Sequence, residues 1–407
     1  MKTLLLYAFS TDLLSYYDDW VEVFQQHSYF DTTAINLING DSKQKKYLEL
    51  EIKKTDLIVL HHSMTADTLR YLSPLISLLK NRKGRLVSFV GNEVNLPILG
   101  MKPKIQILKE ISPDIIATQL LEETGKWLYS ECKKSTVISL PHALNPKKFY
   151  PTIPQEKRLI DLGTRSARYG VYIGDDDRNN ISNSFEKNYK KYGICIDLGI
   201  KKRNQSRFDR GSWKDFLNHC KGMISTEAGS FYLEKDDQTI HNIISYLQKK
   251  KKVYVIPSGL GFFEKIGRWI PPSIKRLLRY CTKGIILESH RIDEETSFEE
   301  IKDIFFQKQK RCPFYSKAIS SRHFDCIGTH TLNVMFPGRY NDILEPHKHY
   351  FPLEKDFSNI QDLIDLLGSP SKVKKITERA YNFVIESHTH SKRLDALINL
   401  LNQGKND

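Results

Sequence analysis

The chain has 407 residues, room for two domains of ordinary size, and its 40% apolar and 11% aromatic content excludes a disordered chain. A formal net charge of +14 implies an anionic partner: nucleic acid, a nucleotide-activated substrate or an acidic membrane surface. Six cysteines without CxxC or zinc-type spacing fit free thiols in a reducing cytosol, and no run approaches the roughly eighteen apolar residues of a membrane-spanning helix.

Met1-Lys2-Thr3-Leu4-Leu5-Leu6-Tyr7 reads as a first buried strand and not as a signal peptide. Short apolar runs at 3–8, 33–37, 56–61, 85–90, 114–117 and 136–140 alternate with amphipathic stretches at 13–26, 66–80, 104–111 and 120–132. Strands of this kind separated by helices build a parallel sheet, so residues 1–150 are expected to form a Rossmann-like domain. Tyr7-Ala8-Phe9-Ser10-Thr11 contains no glycine, which argues against a dinucleotide on the first helix. Polar residues just past strands (His61-His62-Ser63, Gly91-Asn92-Glu93, Pro141-His142-Ala143) mark the edge of a cleft, with Glu93 and His142 the stronger site candidates.

A linker of prolines and charges, 145–154, precedes a second set of strands at 158–163, 194–198, 222–225 and 332–336. Two Rossmann-like doubly wound α/β domains facing a cleft form the GT-B arrangement of sugar-nucleotide glycosyltransferases, here an argument from fold analogy. After the first of these strands Arg165 is the best diphosphate ligand, since a guanidinium makes paired bonds to phosphate oxygens; Arg168 and Arg178 are weaker ones. Asp175-Asp176-Asp177 could bind a metal but reads more simply as acids at a helix start, so no metal is expected. Glu227 lies in a small-residue loop, Thr226 to Ser230, that lets backbone amides approach a ligand.

The segment 249–283 holds about ten basic residues against one glutamate, interleaved with Phe262, Phe263, Trp269 and Leu277. That is the make-up of an interfacial segment on an anionic membrane, and no nucleic-acid-binding motif accompanies the charge. Beyond it, 320–359 is expected to give a helix with one acid, a strand and a site loop. Asp325 could accept hydrogen bonds from both ribose hydroxyls, and Gly328-Thr329 would let the backbone approach the nucleotide. The tail is helical at 358–367, 371–386 and 391–401, and the end of the chain, 386–407, could cross back onto the first domain.

Arg322-His323-Phe324-Asp325-Cys326-Ile327-Gly328-Thr329, Gly338-Arg339-Tyr340-Asn341-Asp342, Asp161-Leu162-Gly163-Thr164-Arg165, Ser225-Thr226-Glu227-Ala228-Gly229 and Pro141-His142-Ala143-Leu144-Asn145-Pro146 together resemble the glycosyltransferase group related to spore-maturation protein CgeB. The resemblance implies a GT-B enzyme that moves a sugar from a nucleoside diphosphate donor, with no further cofactor, often in surface-glycan assembly. It puts the ribose acid on Asp325, where the family has glutamate, and Lys317 stands where related enzymes carry a second glutamate. Arg322 and His323 then fall near the donor phosphates on 151–385, and Glu93, His142 and Glu227 near the chemistry. A glycan or lipid-linked acceptor would enter from the first domain of a cytoplasmic enzyme, peripheral on the membrane through 249–283. A sugar-nucleotide epimerase, or a non-enzymatic basic scaffold on membrane or RNA, are the competing readings.

Overall fold

Leu57, Ile58, Val59 and Leu60 are fully buried, as a strand covered by helices on both faces must be. They form β3 (Leu57–Leu60) within a six-stranded parallel sheet. Its other members are β1 (Lys2–Tyr7), β2 (Asp31–Asn36), β4 (Arg85–Phe89), β5 (Ile115–Thr118) and β6 (Thr136–Ser139), in the order β2-β1-β3-β4-β5-β6. The computed structural model describes the chain except residues 13–14, 39–41, 200–207, 252–253, 257–285, 289–295, 308–310 and 404–407. Most of the basic segment 249–283 therefore lies outside the described residues.

The helices of this lobe are α1 (Ser15–Gln26), α2 (Ser42–Lys54), α3 (Ile76–Lys80), α4 (Met101–Ile111) and α5 (Glu122–Leu128). Two departures from the sequence reading have local causes. The helix expected over 66–80 forms only as α3, because Pro74 starts a separate 3-10 turn (Ser73–Leu75) and cannot continue a ladder from the preceding residues. Helix α2, which the sequence reading lacks, has a weak apolar stripe: among its described side chains Leu48 and Ile52 reach the core.

The second lobe has a five-stranded parallel sheet made of β7 (Ile160–Gly163), β8 (Ile196–Asp197), β9 (Cys220–Ser225), β14 (Leu332–Met335) and β15 (Phe351–Pro352), in the order β15-β14-β9-β7-β8. The short β10 (Ala228–Gly229) pairs antiparallel with β13 (Lys317–Ala318), and β11 (Tyr254–Ile256) pairs parallel with β12 (Ile286–Glu288). Around them run α6 (Asp177–Tyr192), α7 (Arg210–His219), α8 (Gln238–Lys251), α9 (Phe298–Ile301), α10 (Ser321–Gly328), α11 (Ile360–Leu367), α12 (Pro370–Ser387) and α13 (His390–Gln403). Two doubly wound parallel-sheet lobes in tandem are the GT-B arrangement.

Helix α13 packs Leu394, Leu397 and Leu401 against Trp20 and Phe24 of α1, so the last helix lies on the first lobe. Its approach runs beside the linker: Leu144 N donates to His388 O (3.0 Å) and His390 N to Leu144 O (3.2 Å). Across the cleft, Asp237 accepts the amides of Met101 and Lys102 (both 2.8 Å). Helix α4 is preceded at its N-cap by Gly100, which has no side chain to cap it, so the cap comes from the other lobe. No helix among the described residues is long and apolar enough to cross a membrane.

Candidate functional site

The carboxyl ends of β7, β9 and β14 carry the loops that meet the first lobe, which is where ligands gather in open α/β sheets. Tyr169, in the loop after β7, ties three segments together. Its hydroxyl accepts from Gly229 N (3.1 Å), and its backbone exchanges hydrogen bonds with the Asn179 side chain of α6 (3.0 Å each). Over its ring lies the guanidinium of Arg178, 3.8 Å from the centroid. Arg178 is 9% exposed, and its Nε has no partner among the described residues.

A second arginine comes from α10. Ser320, in extended conformation before that helix, donates its backbone N–H to Nδ1 of His323 (3.1 Å), a reciprocal cap that fixes the first turn. Arg322 sits in this turn, and its Nε is buried and unpartnered among the described residues. Burial first, then the charge of Arg178, brings the Arg322 guanidinium down to about 10. His323 is held well below the usual imidazole range by burial and by both arginines. Two clustered guanidiniums at the starts of two helices make a strongly anion-selective centre.

From the first lobe His142 comes close enough for the charge of Arg322 to act on it. Burial, then Arg393 and Arg322, lowers its imidazole to about 3, so it is neutral at pH 7 and its protonated form is disfavoured while those positive charges stand unopposed. Its ring lies 4.4 Å from that of Tyr16 and 5.4 Å from that of His62, and its Nδ1 is unpartnered among the described residues. His61, His62 and His390 complete a buried group of imidazoles, all lowered chiefly by burial.

The remaining sequence candidates are taken up internally. Glu93 accepts from Thr118 Oγ1 (2.6 Å), Tyr129 Oη (2.6 Å) and Gln119 N (2.7 Å), which ties the carboxylate into the framework of the first lobe. Lys104, fully buried, holds the same loop through Gly91 O (2.8 Å) and Asn92 O (2.6 Å). Glu227 accepts from Tyr340 N (2.7 Å) and the Tyr315 hydroxyl, and a side chain at Gly338 would run into it. It clamps two site loops together.

Arg165 pairs with Asp197 (2.7 Å), donates to two backbone carbonyls, and lies 4.0 Å over the Phe216 ring. Those contacts occupy most of the donors a diphosphate would need. Asp325 is 2% exposed and accepts the indole N–H of Trp213 from α7 (2.8 Å), so the residue expected on a ribose faces the interior. Gly328 packs where a Cβ would strike Leu144 and Phe149, and the Thr329 hydroxyl donates to Asp325 O (3.1 Å). Neither offers backbone to a nucleotide. The acids at 175–177 meet lysines: Lys317 Nζ lies 2.8 Å from Asp175 and 3.0 Å from Asp177, and Lys355 lies 2.7 Å from Asp177.

The structure therefore brings together Arg322, His323 and His142 with Arg178, which the sequence ranked low. Its only signal there was a place in the first turn of a helix that follows a strand and a loop. No protein-family model matches the chain, and no curated protein matches it. Among solved structures it is similar to Alr3699/HepE of Anabaena in complex with UDP-glucose (9% identity, TM-score 0.49, covering 99% of this chain and 100% of that one). It is also similar to sucrose-phosphate synthase of Thermosynechococcus elongatus (9% identity, TM-score 0.48, 99% and 98% covered).

Proposed function

We propose that the chain is a glycosyltransferase that takes a sugar from a nucleoside diphosphate donor held on the second lobe. The observation that carries this reading is the pair Arg178 and Arg322, whose buried Nε atoms have no partner among the described residues, at the cleft end of a doubly wound sheet. In transfer, the bond from the anomeric carbon to the diphosphate oxygen breaks and its electron pair leaves with the diphosphate. Fixed guanidinium charge stabilises that developing anion in a site of low dielectric. The acceptor hydroxyl forms the new bond and its proton passes to a base, for which we assign His142: diphosphate bound beside Arg322 offsets part of the positive charge that holds the free imidazole down. His323 positions Arg322 through the helix cap.

In this reading residues 1–150 receive the acceptor, 151–385 hold the donor, and the protein's own guanidiniums, without a metal, neutralise the charge of the diphosphate. The basic aromatic segment 249–283 supports a glycan or lipid-linked acceptor met at an anionic membrane surface on the cytoplasmic side. The test has two arms. Calorimetry of the chain against UDP, GDP, CDP and ADP should show binding of at least one, and labelled donor sugar should appear on an acceptor. No binding anywhere in the panel would refute the reading, and sugar converted without transfer would give the site to an epimerase.

A further inference from the structure

Asp325 is too deeply placed for a ribose, yet it is a carboxylate in a helix one turn from Arg322, on the same face. Its partner Trp213 is 8% exposed, stacked on Phe216 (5.7 Å, 24°), and belongs to α7. One turn earlier on α7, Arg210 crosses to the first lobe. It bonds Glu22 (2.7 Å) and Asp19 (3.0 Å) of α1, and Asp19 also accepts from Asn145 of the linker (2.7 Å). Side-chain bonds (Arg210 to α1, Trp213 to Asp325) joined by one turn of α7 and one turn of α10 thus connect α1 with the turn that carries Arg322.

We infer that Asp325 is a positioning residue: held by Trp213, it sets the orientation of Arg322, and through Arg210 it makes that orientation depend on how α1 of the first lobe is seated. The inference rests on the reading of Arg178 and Arg322 as the diphosphate site. It assigns Asp325 a role that does not require contact with any sugar. A rigid hydrogen-bonded support of this kind fixes the geometry of a ligand-binding side chain that its own flexible stem cannot fix. Because the indole N–H needs only an acceptor, asparagine can replace the aspartate at that bond.

Inorganic pyrophosphate separates the possibilities, since it has the phosphates and lacks a ribose. It is titrated calorimetrically into the full chain and into Trp213→Phe, Asp325→Ala, Asp325→Asn and Arg322→Met, with the circular dichroism spectrum of each variant recorded. Trp213→Phe and Asp325→Ala should each weaken pyrophosphate about fivefold to tenfold, the scale of one lost hydrogen bond, while Asp325→Asn restores most of the affinity. If Asp325→Ala weakens UDP and leaves pyrophosphate unchanged, Asp325 touches ribose and the positioning role is overturned. If Asp325→Asn is as weak as Asp325→Ala despite a native spectrum, the Trp213 bond is not what matters, and the relay is overturned. Should the wild-type chain and Arg322→Met both fail to bind pyrophosphate, the diphosphate site itself falls and the inference with it.

Discussion

The loop after β4 and the first turn of α10 look alike in sequence, each a short polar run holding a charged residue beside a strand or helix end. Their buried chemistry is opposite. In the first, Glu93 has three donors and Lys104 two acceptors, all within 36 residues along the chain. In the second, Arg322 and the neighbouring Arg178 each keep a buried Nε with no partner among the described residues. Buried polar atoms are nearly always paired, so side chains with filled bonding sets read as scaffold, and two unpartnered guanidinium nitrogens close together leave donors for a ligand to complete. The same distinction separates His142 from Glu227, whose carboxylate is filled by Tyr315 and Tyr340.

The contrast can be broken by mutation. The largest expected effect is on the scaffold side: Glu93→Ala strands the donors of Thr118, Gln119 and Tyr129 and should cost roughly 3 kcal/mol of stability, read by chemical denaturation. Nucleoside diphosphate affinity of whatever remains folded should be unchanged, and a loss of affinity at full stability would return Glu93 to the active centre. Arg322→Met should do the reverse, weakening the diphosphate by about 2 kcal/mol with little change in melting temperature.

The buried imidazoles sharpen the comparison through pH. His61, His142 and His390 are lowered to about 3 from 6.5, so the folded chain keeps them neutral where the unfolded chain protonates them. Stability is therefore complete above about pH 6.5 and is lost as pH falls toward 3, by about 1.4 kcal/mol per pH unit for each proton taken up on unfolding. Melting curves from pH 7 to pH 4 should show that slope exceeding one proton; a flat profile would mean the imidazoles are already charged in the fold. The smallest effect is reserved for Arg165, whose partly exposed pair with Asp197 should be worth under about 1 kcal/mol. Arg165→Met should leave diphosphate binding intact, and a large loss would move the anion site to the loop after β7.

Much of this architecture could be read from the chain. Six apolar runs alternating with helices anticipated the first sheet, and the restart near residue 158 anticipated the second, because buried parallel strands leave a continuous apolar signature. His142 stood out as a polar residue just past a strand, whereas Arg322 and His323 became candidates only through the family resemblance. What could not be read is which charged groups the fold would neutralise. Trp213 lies 112 residues from Asp325, Tyr340 lies 113 from Glu227, and Lys317 lies 142 from Asp175. Pairings at that separation are made by tertiary packing and leave no local pattern. Arg178 was underrated for the converse reason: its value comes from Arg322, which joins it only in the folded lobe.

The central claim is that Arg178 and Arg322 together form the diphosphate site. Its most direct measurement is calorimetric titration of the wild-type chain and the Arg178→Met, Arg322→Met double variant with the nucleoside diphosphate that the wild type binds best. The account predicts measurable binding to the wild type and a loss of at least about a hundredfold in the double variant, the sum of two charge-assisted contacts. A folded double variant that binds as tightly as the wild type would contradict it.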